Sequence, residues 1–257
     1  MNQLEIAERD AIVFLALLSK AHEQFDFQFP HPDGELTHAY GLNIFAAIID
    51  NGDGRLLASD RNKIHSFNNP MMHAEQVTLK RAIDVVNAKR PRNTSTTSIE
   101  NYYRRYLFNN PTNGDYWTVG GTLYTTLEPC PFCASALLVT RMKRIVFLIP
   151  DKKFGTAYQK LKTDYYSSYD TKYEQLTILP HPESELTKRA SAIHIELLKK
   201  VEEIKTAKPT LYDTLLLDLM PDILKKGSEL FRAFDEGSIV SNNATNKATL
   251  KDLLSAK

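Results

Sequence analysis

The chain has 257 residues, of which 42% are hydrophobic and 25% are charged, and its formal net charge is +1. This composition is that of a globular protein with a sizeable buried core, and it argues against wholesale disorder. The charge lacks the overall basic excess with which proteins usually hold many nucleic-acid phosphates, although a local basic patch stays open.

An apolar run from Ala11 to Leu18 lies inside a first helix predicted over residues 3–22. The run is too short to span a bilayer. Glu5, Glu8 and Asp10 precede it, where a signal peptide would carry positive charge. We therefore interpret the segment as a core helix and expect a cytoplasmic protein with no membrane partner.

Strand and helix patterns follow one another over the next part of the chain, which predicts an α/β protein with a mixed sheet and helices on both faces. The predicted strands are 41–50, 55–59, 122–127, 144–149 and 173–179, with helices starting near His73 and Pro131. Asn-Gly-Asp-Gly at 51–54 is a strong hairpin signal between the first two strands. The segment between the last two strands is long enough for a crossover, which favours parallel pairing.

Residues 90–121 break this periodicity, and we interpret them as an insertion. Tyrosine and arginine interleave at 102–106. Such a pattern can stack against single-stranded nucleic acid, or it can belong to a helix that packs on the domain, which we favour.

From residue 184 to 257 the pattern is helical, with apolar residues at three- and four-residue steps up to Pro209. Further helices are predicted over 210–220 and from Pro221 to about Phe234, and the polar stretch 238–257 is expected to be partly mobile. We therefore predict a domain over 1–183 and a helical C-terminal extension over 184–257.

Chemistry is concentrated in two short motifs, His73-Ala74-Glu75 and Pro129-Cys130-Pro-Phe-Cys133, which contain both cysteines of the chain. Zinc binds thiolate and imidazole ligands, and a catalytic site uses three of them so that water can take the fourth position. That water ionises near pH ~7. Glu75 follows a ligand by two residues, so we predict that it moves protons beside the metal.

Two other interpretations of these motifs are weaker. A thioredoxin-like redox pair would use Cys130 and Cys133 but leaves His73-Ala74-Glu75 unexplained. A structural zinc site normally needs four protein ligands, and the chain has no third cysteine. The neighbouring Glu128 is predicted to brace the turn before Pro129 rather than touch a substrate.

These motifs, together with residues 122–133, 144–147 and 151–155, resemble the tRNA adenosine deaminase and guanine deaminase branch of the cytidine deaminase superfamily. The resemblance implies a three-layer αβα sandwich with a five-stranded mixed sheet, and a homodimer. It also implies one Zn²⁺ per chain and a role for each site residue. Those residues are the ligands His73, Cys130 and Cys133, the proton carrier Glu75, and the base-binding Asn62 and Ala74.

We therefore expect a zinc-dependent hydrolytic deaminase that removes the exocyclic amine of a nucleobase or nucleoside, a purine, and releases ammonia. The near-zero net charge favours a free small molecule over RNA. The alternatives are a tRNA adenosine (A-to-I) deaminase and a non-catalytic binding protein, and the intact Glu75 argues against the latter. Phe132, Phe154 and Tyr158 either line the base pocket or pack in the core.

Overall fold

The structure is a computed structural model. It describes residues 3–24, 44–50, 53–88, 121–140, 142–151, 154–157, 160–161, 172–175, 185–207, 212–233, 239, 241 and 243–255. The tyrosine and arginine cluster of the predicted insertion and Tyr158 lie outside these residues.

Seven helices and five strands are formed by the described residues. In chain order they are α1 (Gln3–Gln24), β1 (Phe45–Asp50), β2 (Leu56–Arg61), α2 (Ile64–Phe67), α3 (Ala74–Ala88), β3 (Gly121–Leu127), α4 (Pro131–Val139), β4 (Arg144–Ile149), β5 (Lys172–Gln175), α5 (Glu185–Ala207), α6 (Tyr212–Arg232) and α7 (Ala244–Ser255).

The strands form one mixed sheet in the order β2-β1-β3-β4-β5. β1 pairs antiparallel with β2 and with β3, whereas β3 pairs parallel with β4. The short β5 lies at the edge of the sheet and pairs parallel with β4. The predicted α/β class, the mixed sheet and the parallel pairing of the last two strands are confirmed.

Helices cover both faces of the sheet, as predicted. Successive side chains of a strand point to opposite faces, so β1 contributes to two buried clusters. Phe45, Ala47 and Ile49 pack with α1, α5, α6 and α7 on one face. Ala46 and Ile48 pack with α3 and α4 on the other face. The helices that carry the two chemical motifs therefore share one face.

A buried polar group fixes α1 on the sheet. Asp10 accepts hydrogen bonds from the Tyr124 hydroxyl and from Arg144 Nη1, each over 2.7 Å. Asp10 is 3% exposed. Because these partners lie on β3 and at the start of β4, the group joins the first helix to the centre of the sheet.

α6 runs without a break through Pro221, so the prediction of two helices separated by that proline is wrong. A proline inside a helix removes one backbone hydrogen bond and costs about 3 kcal/mol. Ile223, Leu224 and Phe231 are buried on this helix, and each buried side chain of this size contributes about 1.5–3 kcal/mol. Burial of the apolar face therefore outweighs the proline.

The segment 238–257, which we expect to be partly mobile, contains α7. Asn243 caps this helix, since its Oδ1 accepts hydrogen bonds from the backbone N–H groups of Thr245 and Asn246, over 2.9 and 3.1 Å. Leu250 and Leu253 are buried against the rest of the core. The predicted division of the chain between residues 183 and 184 stays a prediction.

No helix in the described part of the chain is long and apolar enough to cross a bilayer.

Candidate metal centre and active site

Two helix N-termini carry the predicted ligands. His73 directly precedes α3, and its carbonyl oxygen accepts a hydrogen bond from the N–H of Val77 over 3.0 Å. Cys130 is the N-cap of α4, and its carbonyl accepts from the N–H of Ala134 over 2.8 Å. Pro131 occupies the first helical position, where proline is favoured. The positive end of α4 therefore lies at the two sulfurs and favours their thiolate forms.

The three predicted ligands lie together. One ligand atom each from His73, Cys130 and Cys133 lies within 4.8 Å of the others. The distance from Cys130 Sγ to His73 Nδ1 is 3.7 Å. A tetrahedral zinc ion with ordinary Zn–S and Zn–N bonds separates its ligand atoms by about 3.5–3.8 Å. The residues present therefore fit one Zn²⁺.

No fourth His, Cys, Asp or Glu joins this group among the described residues. A structural zinc site is normally closed by four protein ligands, whereas a catalytic site has three and leaves one position for water or substrate. With three ligands, the group of His73, Cys130 and Cys133 corresponds to a catalytic site.

The thiols and the imidazole share protons. A hydrogen bond from Cys133 and a second contact with His73 lower the pKa of Cys130 to about 4, in spite of its partial burial. The same bond to Cys130, together with burial, raises the pKa of Cys133. The hydrogen bond with Cys130 also raises the pKa of His73. Metal binding displaces protons from such a set of ligands.

Glu75 is buried beside the ligands, with 4% of its surface exposed. Burial raises the pKa of its carboxyl to about 7, and a hydrogen bond from Cys133 opposes this shift. The carboxyl is thus held in the first turn of α3, beside the metal ligands, where it can accept and return a proton.

The two predicted base-binding residues are both buried near His73. Asn62 is 4% exposed and its Oδ1 accepts a hydrogen bond from the N–H of Ile64 over 3.0 Å. The N–H of Lys63 donates to the carbonyl of Met72 over 2.8 Å, which ties the loop of Asn62 to the residue before His73. Ala74 is 0% exposed. Their roles in binding a base stay predictions.

Glu128 has a bracing role, but for a different turn from the one expected. Its carboxylate accepts hydrogen bonds from the backbone N–H groups of Asp151 over 2.9 Å and Thr156 over 2.7 Å. It therefore links the segment before Cys130 to the turn after β4. Gly155 lies in that turn, and a Cβ atom there would overlap the Asp151 carbonyl and the Glu128 carboxylate. Glycine at position 155 is therefore the feature of the sequence that could indicate the close approach of Glu128 to this turn.

Phe132 lies between the two cysteines and is 39% exposed. Its ring meets the His73 imidazole edge to face, with centroids 5.9 Å apart and planes at 68°. Phe154 is 47% exposed. Of the two open interpretations, core packing is therefore excluded for both phenylalanines.

Comparison with known proteins agrees with this site. Residues 36–149 match the family described as the cytidine and deoxycytidylate deaminase zinc-binding region. The tRNA-specific adenosine deaminase of Rickettsia felis is 25% identical over 117 residues, which are 46% of this chain and 62% of that protein. The enzyme of the same name from Aquifex aeolicus is 28% identical over 103 residues, which are 40% of this chain and 50% of that protein.

The chain therefore spans between half and 62% of the length of these relatives. Among solved structures, one from a study of A-to-I editing by tRNA:A34 deaminases at the wobble position of transfer RNA is similar, with a TM-score of 0.42 and 20% identity. The match covers 65% of this chain and 98% of that one.

Proposed function

We propose that this chain, whose residues 36–149 match the cytidine and deoxycytidylate deaminase zinc-binding region, is a hydrolase that removes the exocyclic amine of a base and releases ammonia. The observation that carries this proposal is the grouping of His73, Cys130 and Cys133 within 4.8 Å, beside the buried carboxyl of Glu75. A group with three ligands and a neighbouring carboxyl suits hydrolysis better than it suits a structural role.

His73, Cys130 and Cys133 would hold Zn²⁺, which when bound would lower the pKa of an attacking water to near neutral. Glu75 would carry one proton of the attacking water to the ring nitrogen and the second proton to the amine, which leaves as ammonia. Ammonia leaves poorly unless it is protonated, so the reaction needs such a carrier. Proton transfer by a placed side chain is typically worth about 10²–10⁴ in rate.

Asn62 and Ala74 orient the base in this proposal. The Oδ1 of Asn62 is occupied by the N–H of Ile64, which leaves its Nδ2 as the group that donates to the base. Ala74 is the first residue of α3, where backbone N–H groups have no acceptor within the helix. One side-chain donor and one backbone donor can thus fix the plane of the ring.

For the substrate we propose adenosine in tRNA. The curated relatives carry the name tRNA-specific adenosine deaminase, which supports the RNA alternative over the free purine that the net charge favoured. A net charge near zero describes the whole chain and leaves room for basic residues gathered at one site. A free purine base or nucleoside is the second candidate, and a homodimer stays a prediction.

The experiment is a panel of substrates assayed for ammonia release. The panel contains a tRNA anticodon stem-loop with adenosine, free adenosine, guanine and cytidine, each at low salt and at about 0.3 M salt. We expect turnover of the stem-loop, with a steep loss at the higher salt. Turnover of a free purine with no turnover of RNA would favour the second candidate, and no ammonia from any member would overturn the proposal.

The panel is repeated with Glu75→Gln, which keeps the shape of the side chain but removes the acid. We expect turnover to fall by about 10²–10⁴. Glu229→Gln is the matched control, because Glu229 is an exposed residue of α6 and should leave turnover unchanged. Equal activity of the two variants would contradict the role of Glu75.

A further inference from the structure

We propose that Phe132 is the surface on which the substrate base stacks beside the metal centre, an inference that rests on the function proposed above. Phe132 is 39% exposed, and its ring lies edge to face against the imidazole of the ligand His73, with centroids 5.9 Å apart.

The position of Phe132 on α4 explains its exposure. This helix buries Cys133, Ala134, Leu137 and Leu138 against the sheet, so a residue just before that stripe points away from the core. A single exposed apolar side chain needs no special explanation. Val139 lies on the same helix and is 44% exposed, so exposure alone does not distinguish Phe132.

The contact with His73 does distinguish it. Aromatic rings pair with their centroids about 4.5–7 Å apart, so a base beside Phe132 lies within reach of the ion that the same imidazole holds. The reactive carbon of a substrate must come to that ion. Phe132 is thus an exposed aromatic ring in contact with one of the ligands.

A stacking surface provides affinity without choosing the base, because every base has an aromatic face. The choice among bases then falls to polar groups such as Asn62. Stacking of one base on an aromatic side chain corresponds to a factor of about 5–150 in affinity. Since Phe132 is partly covered by His73, we expect the lower part of that range.

The test compares three substitutions at one position in the full chain. Phe132→Ala removes the ring, Phe132→Leu keeps an apolar side chain without a ring, and Phe132→Tyr keeps the ring. We expect KM for the substrate that the wild-type chain deaminates to rise about tenfold in the first two variants and to stay near the wild-type value in the third. The value of kcat should change much less than KM, and the control Val139→Ala should change neither.

Zinc content is measured on every variant, because Phe132 also contacts a metal ligand. Loss of zinc in both Phe132→Ala and Phe132→Leu would mean that the ring only supports His73, and this would overturn the inference. A wild-type KM in Phe132→Leu would do the same, since it would show that apolar volume suffices. An inactive wild-type chain would instead contradict the proposed function, so the two failures are distinguishable.

Discussion

The most quantitative prediction concerns His194, a buried histidine far from the metal ligands in the sequence. It lies on α5 in a cavity between α1, α5, α6 and β4 and is 3% exposed. The other lining residues are all apolar: Ala11, Phe14, Leu15, Leu18, Leu148, Ala190, Ile193, Leu197 and Ile223. Neither ring nitrogen has a hydrogen-bond partner among the described residues. Burial lowers the pKa of His194 from 6.5 to about 4.

A histidine whose pKa is depressed by folding destabilises the fold as the pH decreases. Above pH 6.5 the ring is neutral in both states and has no effect on the pH dependence. Below that value the unfolded chain binds a proton that the folded chain does not, until the pH reaches about 4. Linkage then predicts that the free energy of unfolding decreases by about 2 kcal/mol between pH 7 and pH 5 because of this residue alone.

Urea unfolding of the wild type and of His194→Leu at several pH values measures this effect. The variant places an apolar side chain in an apolar cavity, so it should be at least as stable as the wild type at pH 7. Its stability advantage should then grow by about 2 kcal/mol as the pH falls to 5. Both chains share the metal site, so any loss of zinc at low pH cancels in the comparison.

A second variant, His194→Gln, separates titration from packing. Glutamine does not titrate, so His194→Gln should show the same gain relative to the wild type between pH 7 and pH 5, whatever its stability at pH 7. Parallel pH profiles for the wild type and both variants would mean that His194 binds its proton equally in the folded and unfolded chains, and the predicted pH dependence would then be wrong.

Two further predictions concern stability. Gly155→Ala should destabilise the chain by about 1–3 kcal/mol in urea unfolding, because its Cβ atom would overlap Asp151 and Glu128, and an unchanged midpoint would show that the turn after β4 can shift freely. Asp10→Ala should lose about 3–5 kcal/mol, since it leaves Arg144 half-buried without its carboxylate. Adding Arg144→Met to Asp10→Ala should recover part of that loss, because it removes the charge of Arg144. No recovery would mean that the loss does not come from that charge.

The metal centre could be predicted from the sequence because its chemistry restricts both residue type and position. His73, Cys130 and Cys133 have the spacing of the zinc motif, and the chain has no other cysteine that could serve as a ligand. Each ligand also lies at a helix start that its neighbours indicate, such as Pro131 after Cys130. Short-range information therefore suffices to predict which residues form the site.

The C-terminal helices could not be predicted as well, because long-range packing decides them. Pro221 is a strong local signal for a helix boundary, yet α6 continues through it, since the apolar face beyond it is buried. Gly227 shows how close this packing is, because a Cβ atom there would lie 2.7 Å from Leu18 on α1. Nothing in the local sequence indicates that α1 lies there.

For α7 a local signal was present and was missed. Asn243 precedes Ala244 in the way that an N-cap precedes a helix, but the polar composition of the segment suggested mobility. The helix is held by distant contacts, among them a hydrogen bond from Asn246 Nδ2 to Glu8 over 2.8 Å. The hydroxyl of Thr249 also donates to the carbonyl of Gly54 in the hairpin turn.

The substrate depends on features that neither composition nor motif spacing contains. Net charge favoured a small molecule, whereas the names of the relatives favour adenosine in tRNA. The sequence leaves open whether Phe132 lines the base pocket or packs in the core, and only the fold places its exposed ring beside His73.

The zinc content of purified chains measures whether His73, Cys130 and Cys133 form a metal site. We predict one zinc per chain in the wild type and in Glu75→Gln, and a large loss of zinc in Cys133→Ser, which removes a buried ligand. A wild-type chain without zinc, or a Cys133→Ser variant that keeps its full complement of zinc, would mean that these three residues do not hold the ion.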